Sequence, residues 1–223
     1  MGVTKTVTPD LAAELFRLGV HDLGESRVQV LAEKVAYFEQ QGLSATWHMI
    51  GHLQRNKARR AVLLADEIHS VDSAALLETL ERIAGEEGRR PRIWLEVKLV
   101  ERESRGGLSP AELPALFARA VACEHLEVCG LMTMAAPPPA KTAETPTEGG
   151  EVAPHQDPAR VVFEALRALG EALPAAEVAR CHGGRVRYSM GMTQDFEAAI
   201  AAGSHLVRVG SALFKAPPRE VEA

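Results

Sequence analysis

Along this chain the spacing of apolar residues keeps changing period. Short continuous or alternating apolar runs at residues 3–6, 20–23, 46–50, 67–71, 93–100, 126–132, 186–188 and 205–209 read as β-strands. Between them the apolar positions move to spacings of three and four. The clearest case is residues 27–41, where Val28, Leu31, Val35 and Phe38 fall on one helical face. Start and stop signals punctuate the helices. Thr8-Pro9-Asp10 opens a helix that Gly19 closes, and Asp72-Ser73 caps one that runs through Leu76, Leu77, Leu80 and Ile83 to the Gly85/Gly88 region. Ser109-Pro110-Ala111-Glu112 is a capping box that predicts a helix to about residue 123. Further helices are predicted over 54–64, over 159–173, and through Phe196 and Ile200 up to Gly203.

Strand and helix alternate eight times with no run of consecutive strands, the signature of a parallel sheet with helices packed outside it. A single parallel (β/α)8 barrel of the TIM type covering residues 1–223 is the expected architecture, and an open doubly wound sheet is the alternative. Residues 135–158, rich in Pro, Ala, Thr and Glu with little to bury, read as a flexible surface insertion, and 215–223 as a short polar tail.

Composition narrows the partners. The 223 residues are 46% apolar and 25% charged with a net charge of -5, a balance that disfavours nucleic acid and anionic membrane as partners. The basic run around Lys57, Arg59 and Arg60 reads as a solvated helix face. Three cysteines without a C-x-x-C spacing read as reduced thiols. With neither a leader segment nor a membrane-length apolar run, the expected compartment is the cytoplasm.

In a barrel, the residues at the carboxyl ends of the strands line one mouth. Two small-residue turns are expected there side by side, Ser189–Thr193 and Gly210–Ser211, both supplying backbone N–H groups and hydroxyls suited to a phosphate. Ser189, Gly191, Met192, Thr193, Gly210 and Ser211 are therefore candidates for anion binding. Lys5 ends the first strand across the mouth, where a partly desolvated amine can condense with an aldehyde. An aldehyde that carries a phosphate, such as pyridoxal 5′-phosphate, meets both requirements. Arg208 stands just before the second turn. Beside a pyridine ring its permanently charged guanidinium can only donate, which keeps the ring nitrogen unprotonated and the ring a poor electron sink. His48 and His52 are spaced like a metal pair, but Gly51 puts one on a strand and the other beyond it. The expected arrangement is one buried, hydrogen-bonded histidine and one at the mouth, with no metal site.

Six stretches in this order resemble the pyridoxal phosphate homeostasis protein family: Val3-Thr-Lys-Thr6, Leu23-Gly-Glu-Ser-Arg-Val-Gln29, Trp47 to Lys57, Ile68-His-Ser-Val-Asp72, Gly130-Leu-Met-Thr133, and Ser189-Met-Gly-Met192 with Val207-Arg-Val-Gly210. The resemblance implies a fold-type III barrel similar to the N-terminal domain of alanine racemase, with pyridoxal phosphate as cofactor. It implies Lys5 as the Schiff-base lysine, Arg208 at the ring nitrogen, and Ser189, Gly191, Thr193 and Gly210 at the phosphate; Ser26, His48 and Met132 are expected around the pocket from their places at the ends of strands. It also implies a protein that stores and delivers the cofactor without turnover; apo forms of dependent enzymes are the expected recipients, and a monomer is the expected state. Against the family pattern, Ser26 replaces the usual asparagine, Val7 a second lysine, and Arg105 the lysine of the fifth-strand loop. An amino-acid racemase of the same fold is the alternative, although neither Tyr37 nor Tyr188 is placed to serve as its second base. A phosphosugar-binding barrel is a third reading.

Overall fold

The computed structural model describes residues 1–100, 106–136 and 157–214. Eight strands follow in order: β1 (Gly2–Val3), β2 (Asp22–Glu25), β3 (Thr46–Met49), β4 (Glu67–Val71), β5 (Arg92–Glu96), β6 (Glu127–Met132), β7 (Arg187–Met192) and β8 (Leu206–Arg208). Each pairs in parallel with the next. The ring closes between the last strand and the first, where Gly2 bridges Val209 and the Val3 N–H donates to the Val209 carbonyl at 2.7 Å. This selects the barrel over the open sheet. Among the described residues the connecting helices are α1 (Pro9–Arg17), α2 (Val28–Gln40), α3 (Ala58–Leu64), α4 (Ala74–Glu87), α5 (Leu113–Ala122), α6 (Pro158–Glu171), α7 (Ala175–Val178) and α8 (Phe196–Ala201).

Local chemistry accounts for most boundaries. Ser73 Oγ accepts from the Leu76 N–H to open α4, and Gly88 at φ 62° closes it. Asp157 accepts from the Ala159 N–H to open α6, with Pro158 at the first position. Half of the expected capping box forms, since Glu112 accepts from the N–H and hydroxyl of Ser109, yet α5 starts only at Leu113. Pro114 explains the delay: without an N–H it is at no disadvantage in a first turn, but inside a helix begun at Ser109 it would remove a bond.

The main core lies between the strands and the helices. Leu31 and Phe38 of α2, Leu80 and Ile83 of α4 and Phe117 of α5 are almost completely buried there against outward-facing strand residues such as Trp47. The barrel interior is different. TIM barrels usually fill it with branched aliphatic side chains, whereas here it holds His48, Glu67, His69, Ser189 and Arg208 beside Trp94, Cys129 and Met132.

Several boundaries differ from the sequence expectation. The first strand ends at Val3, so Lys5 lies in the turn after it. The seventh strand runs through Ser189 to Met192 where a turn was expected, because Gly191 at φ 94° and a register shift between Ser189 and Met192 let small residues continue the ladder. The fifth strand stops at Glu96, after which Lys98 N–H bonds the Leu108 carbonyl and the chain leaves the sheet. The expected insertion falls outside the described residues over 137–156, as do Arg105 and the tail at 215–223; Ala135, assigned to that insertion, is buried in the core. No helix among the described residues is long and apolar enough to cross a membrane.

Candidate functional site

The carboxyl ends of the strands surround a cavity of about 670 Å³, within the range of small-molecule sites. Lys5 lines one wall. Its backbone is held from behind by a buried cluster in which Lys34 Nζ donates to both the Glu25 carboxylate and the Thr4 carbonyl, while the Thr4 hydroxyl donates to the same carboxylate oxygen at 2.6 Å. Glu25 and Lys34 are each only 1% exposed. The Lys5 side chain itself is exposed at the mouth, so the partial desolvation expected of it is not provided by surrounding protein.

The opposite wall comes from the ends of β7 and β8. Met192, Thr193, Gly210 and Ser211 line it, and the Gly210 N–H donates to Thr193 Oγ1 at 3.3 Å, which ties the two turns together. Gly191 is needed for packing: a Cβ there would lie 2.5 Å from the Ala199 Cβ of α8. Arg208 forms the floor. Its Nη1 donates to the Ser189 carbonyl at 2.7 Å and Oγ at 2.9 Å, and its Nη2 to the Thr133 carbonyl at 2.9 Å. Three of its five N–H bonds thus fix the guanidinium plane while the group still borders the cavity. Burial lowers its pKa to about 10, opposed by the charges of Glu96 and Asp195. The guanidinium stays charged at neutral pH and can only donate.

Of the eleven candidates, Lys5, Ser26, Met192, Thr193, Arg208, Gly210 and Ser211 meet at this cavity, and His48, Met132, Ser189 and Gly191 do not line it. Depth along the barrel separates Ser189, Met132 and His48 from the cavity, and Gly191 has no side chain to offer it. Ser189 points inward beneath the floor, where it supports Arg208, and Met132 packs on Trp94 and Cys129. His48 lies deeper still, and His52 stands exposed at the mouth with Nδ1 3.2 Å from Asp72 Oδ2, the division expected of the two histidines.

The sequence reading missed Glu96 and Asp195, both of which line the cavity. Glu96 carries a signal, being the one carboxylate at the end of the apolar run Ile93-Trp-Leu. Asp195 carries none: it accepts from the Met192 N–H and borders the cavity beside Thr193 and Gly210. Neither tyrosine lines the cavity, and Tyr188 is buried with its hydroxyl donating to the Arg167 carbonyl at 3.3 Å.

Below the floor lies a closed polar cluster. His48 Nδ1 and His69 Nε2 are 2.9 Å apart, His48 Nε2 is 3.0 Å from Asp22 Oδ1, and His69 Nδ1 is 3.1 Å from Ser189 Oγ. Glu67 accepts from Trp94 Nε1 at 2.7 Å and pairs with Arg92 at 3.2 Å. Among the described residues, His48, Glu67 and His69 are the group whose potential metal-binding atoms approach within 4.8 Å, but those atoms are already engaged with one another and with these neighbours. Burial depresses the His48 pKa, yet hydrogen bonds to Asp22 and Glu67 outweigh it and leave the value raised. His69 is pushed down to about 3, first by burial and then by the charges of His48 and Arg208. Burial alone would raise Glu67, but the two imidazoles hold its carboxyl well below the usual range.

Residues 3–218 match the family described as alanine racemase, N-terminal domain. A pyridoxal phosphate homeostasis protein of Aquifex aeolicus (strain VF5) is 33% identical over 215 residues, covering 96% of this chain and 85% of the relative. The chain belongs to the pyridoxal phosphate homeostasis protein family. Among solved structures, PipY of Synechococcus elongatus PCC7942 without PLP superposes with a TM-score of 0.81 at 35% identity, covering 96% of this chain and 91% of that one. The same protein solved with PLP bound gives 0.78 at 33% identity. An alanine racemase of Clostridium difficile 630 shares the fold at a TM-score of 0.72 and 15% identity, and this chain covers 52% of it.

Proposed function

We propose that this chain binds pyridoxal 5′-phosphate at the barrel mouth and serves in its homeostasis, holding the cofactor and handing it on without turnover. One observation carries the reading: Lys5, Arg208 and the paired turns at Thr193 and Gly210 line a single cavity from different sides. When bound, the cofactor supplies an aldehyde that a primary amine can capture reversibly. Lys5 supplies that amine, and Thr193, Gly210 and Ser211 supply donors for the phosphate. Arg208 supplies a fixed donor for the ring nitrogen, and Ser26 and Met192 fill the sides. Because Lys5 is exposed, a ring seated over it would itself exclude the water that the protein leaves in place.

Arg208 argues for storage over broad amino-acid chemistry, since a ring nitrogen that only accepts from a cation stays unprotonated and withdraws electrons weakly. PipY with PLP bound, at 33% identity, supports the same ligand here. We further infer a cytoplasmic monomer whose recipients are apo forms of dependent enzymes; the net charge of -5 supports neither nucleic acid nor anionic membrane as a partner.

The test is optical and chemical. Purified protein mixed with pyridoxal phosphate gains a visible absorbance band, and borohydride fixes the added mass on the peptide containing Lys5. Lys5→Ala protein that retains the cofactor equally well through dialysis would overturn the assignment.

A further inference from the structure

The polar cluster beneath the cavity is a continuous path. From Arg208 Nη1 it passes to Ser189 Oγ at 2.9 Å, His69 Nδ1 at 3.1 Å, His48 Nδ1 at 2.9 Å from His69 Nε2, and Asp22 Oδ1 at 3.0 Å from His48 Nε2. Ser189, His69, His48 and Arg208 are almost completely buried. Asp22, at the amino end of β2, keeps 51% of its side chain exposed on the face of the barrel opposite the cavity. We propose that Ser189, His69, His48 and Asp22 form a hydrogen-bonded column that positions Arg208 and transmits to it the protonation state of the barrel's base. The inference rests on the reading of Arg208 as the partner of the cofactor ring.

The column can run in two directions. With His48 protonated, both its nitrogens donate, one to Asp22 and one to His69 Nε2. His69 then carries its proton on Nδ1 and donates to Ser189 Oγ, which accepts from Arg208 as well. With His48 neutral and its proton kept toward Asp22, Nδ1 becomes an acceptor. His69 donates from Nε2, Ser189 donates its hydroxyl proton to His69 Nδ1, and the Ser189 oxygen accepts only from Arg208. A hydroxyl that donates onward is a stronger acceptor, so Arg208 is gripped more tightly in the second state. Both imidazoles are held in place for this exchange. Trp94 stacks on His69 with centroids 5.0 Å apart, and Glu67 lies 3.5 Å from His48 Nδ1 and 3.6 Å from His69 Nε2.

The charged and titratable groups facing the column are Asp22 of β2, Glu67 of β4, Arg92 of β5, Cys129 of β6 and Arg208 of β8, with the terminal amine of Met1 acting on Asp22. Cys129 is pushed up to about 12, chiefly by burial, so it does not change state across the neutral range. Glu67 is ionised throughout that range. Within the column the group that changes state is His48, held between Asp22 and His69 with its pKa raised from the ordinary imidazole value; the Met1 amine beside Asp22, lowered by burial, lies outside the column.

The test starts on cofactor-free protein labelled with ¹⁵N in histidine and arginine, followed by two-bond ¹H–¹⁵N spectra from about pH 5 to about pH 9. His69 is expected to stay neutral and to move its proton from Nδ1 to Nε2 at the pH where His48 titrates, with the Arg208 side-chain resonances following the same midpoint. Asp22→Asn, far from the cavity, is expected to lower all three midpoints together by about half a pH unit or more. A single His69 tautomer across the range, or a His48 midpoint that shifts without Arg208 following, would overturn the column. In loaded protein the pH midpoint of the bound cofactor's absorbance is expected to fall by the same amount in Asp22→Asn, and an unmoved midpoint would also refute the coupling. If no cofactor binds, the proposed function fails by itself, and the column is still judged by the histidine and arginine resonances.

Discussion

Removing Lys34 tests how the first strand is held. The ammonium is 1% exposed and bonds both the equally buried Glu25 carboxylate and the Thr4 carbonyl. In Lys34→Met the apolar volume is roughly kept, but a carboxylate is left in the interior with the Thr4 hydroxyl as its remaining donor. Breaking a buried pair in this way costs about 3–5 kcal/mol, because the surviving charge loses compensation. The Thr4 carbonyl keeps its bond from the Val7 N–H at 3.0 Å, so little is added on the backbone side. In urea the unfolding midpoint should fall by about 1–2 M. The double variant Lys34→Met with Glu25→Gln removes the stranded charge, and the new amide can donate toward the Thr4 carbonyl, so at least half of the loss should return. Since Thr4 immediately precedes Lys5, the single variant should also yield less borohydride-fixed cofactor at equal protein concentration. A single variant that costs under about 1 kcal/mol, or a double variant no more stable than the single, would refute this account of the cluster.

Stability should crest near neutral pH. His69 has a folded pKa of about 3 against about 6.5 unfolded, so its contribution is present above about 6.5 and is lost as pH falls toward 3; His48, with a raised folded value, contributes below about 6.5 and loses that contribution as pH rises through its folded pKa. His69→Phe should flatten the acid side of a plot of Tm against pH, and an unchanged acid side would contradict the assignment. Gly191→Ala combines φ 94° with a Cβ 2.5 Å from that of Ala199 and should cost about 2 kcal/mol, read as a fall in Tm of about 4–8 °C; at Gly42, where nothing lies within 4 Å, the same change should cost about 1 kcal/mol or less. Asp195→Asn keeps an acceptor for the Met192 N–H but removes a negative charge from the cavity wall, so the affinity for inorganic phosphate, measured by calorimetry, should rise several-fold.

Which parts of this fold could be read in advance follows from where each kind of information resides. All eight strands and the seven expected helices were legible, because each helix buries one face against the sheet and so repeats at three and four, as Val28, Leu31, Val35 and Phe38 do along α2. Ring closure was not legible. It depends on one bridge between Gly2 and Val209, residues at opposite ends of the barrel sequence with no local feature that distinguishes a closed sheet from an open one. The short helix Ala175–Val178 also escaped notice, being a single turn after Pro174 with no buried residue and hence no apolar period. The seventh strand was shortened for the opposite reason. Ser-Met-Gly-Met has the composition of a turn, and the ladder survives because a left-handed glycine absorbs an irregularity that propensity alone cannot reveal.

The cavity was legible where unusual residues stand at the ends of strands, which is why Lys5, Arg208 and the turns at Thr193 and Gly210 could be placed together at one mouth. What lies under it was not. His48, Glu67, His69 and Ser189 occur at inward positions of three strands, and each alone has the appearance of an ordinary polar residue in a β-run. Only their convergence on the barrel axis makes them a network, and that convergence is set by register, with His48 opposite Gly24 on one side and Glu67 on the other. Ser189 makes the consequence concrete. Taken in sequence it belongs to a phosphate turn; placed inside the strand, three residues before its end, it becomes an acceptor for Arg208 and a link to His69, 120 residues away. Arg208 is therefore held by residues that no local motif connects to it, and on the column proposed above a substitution at the base of the barrel reaches the mouth without altering a single residue that lines it.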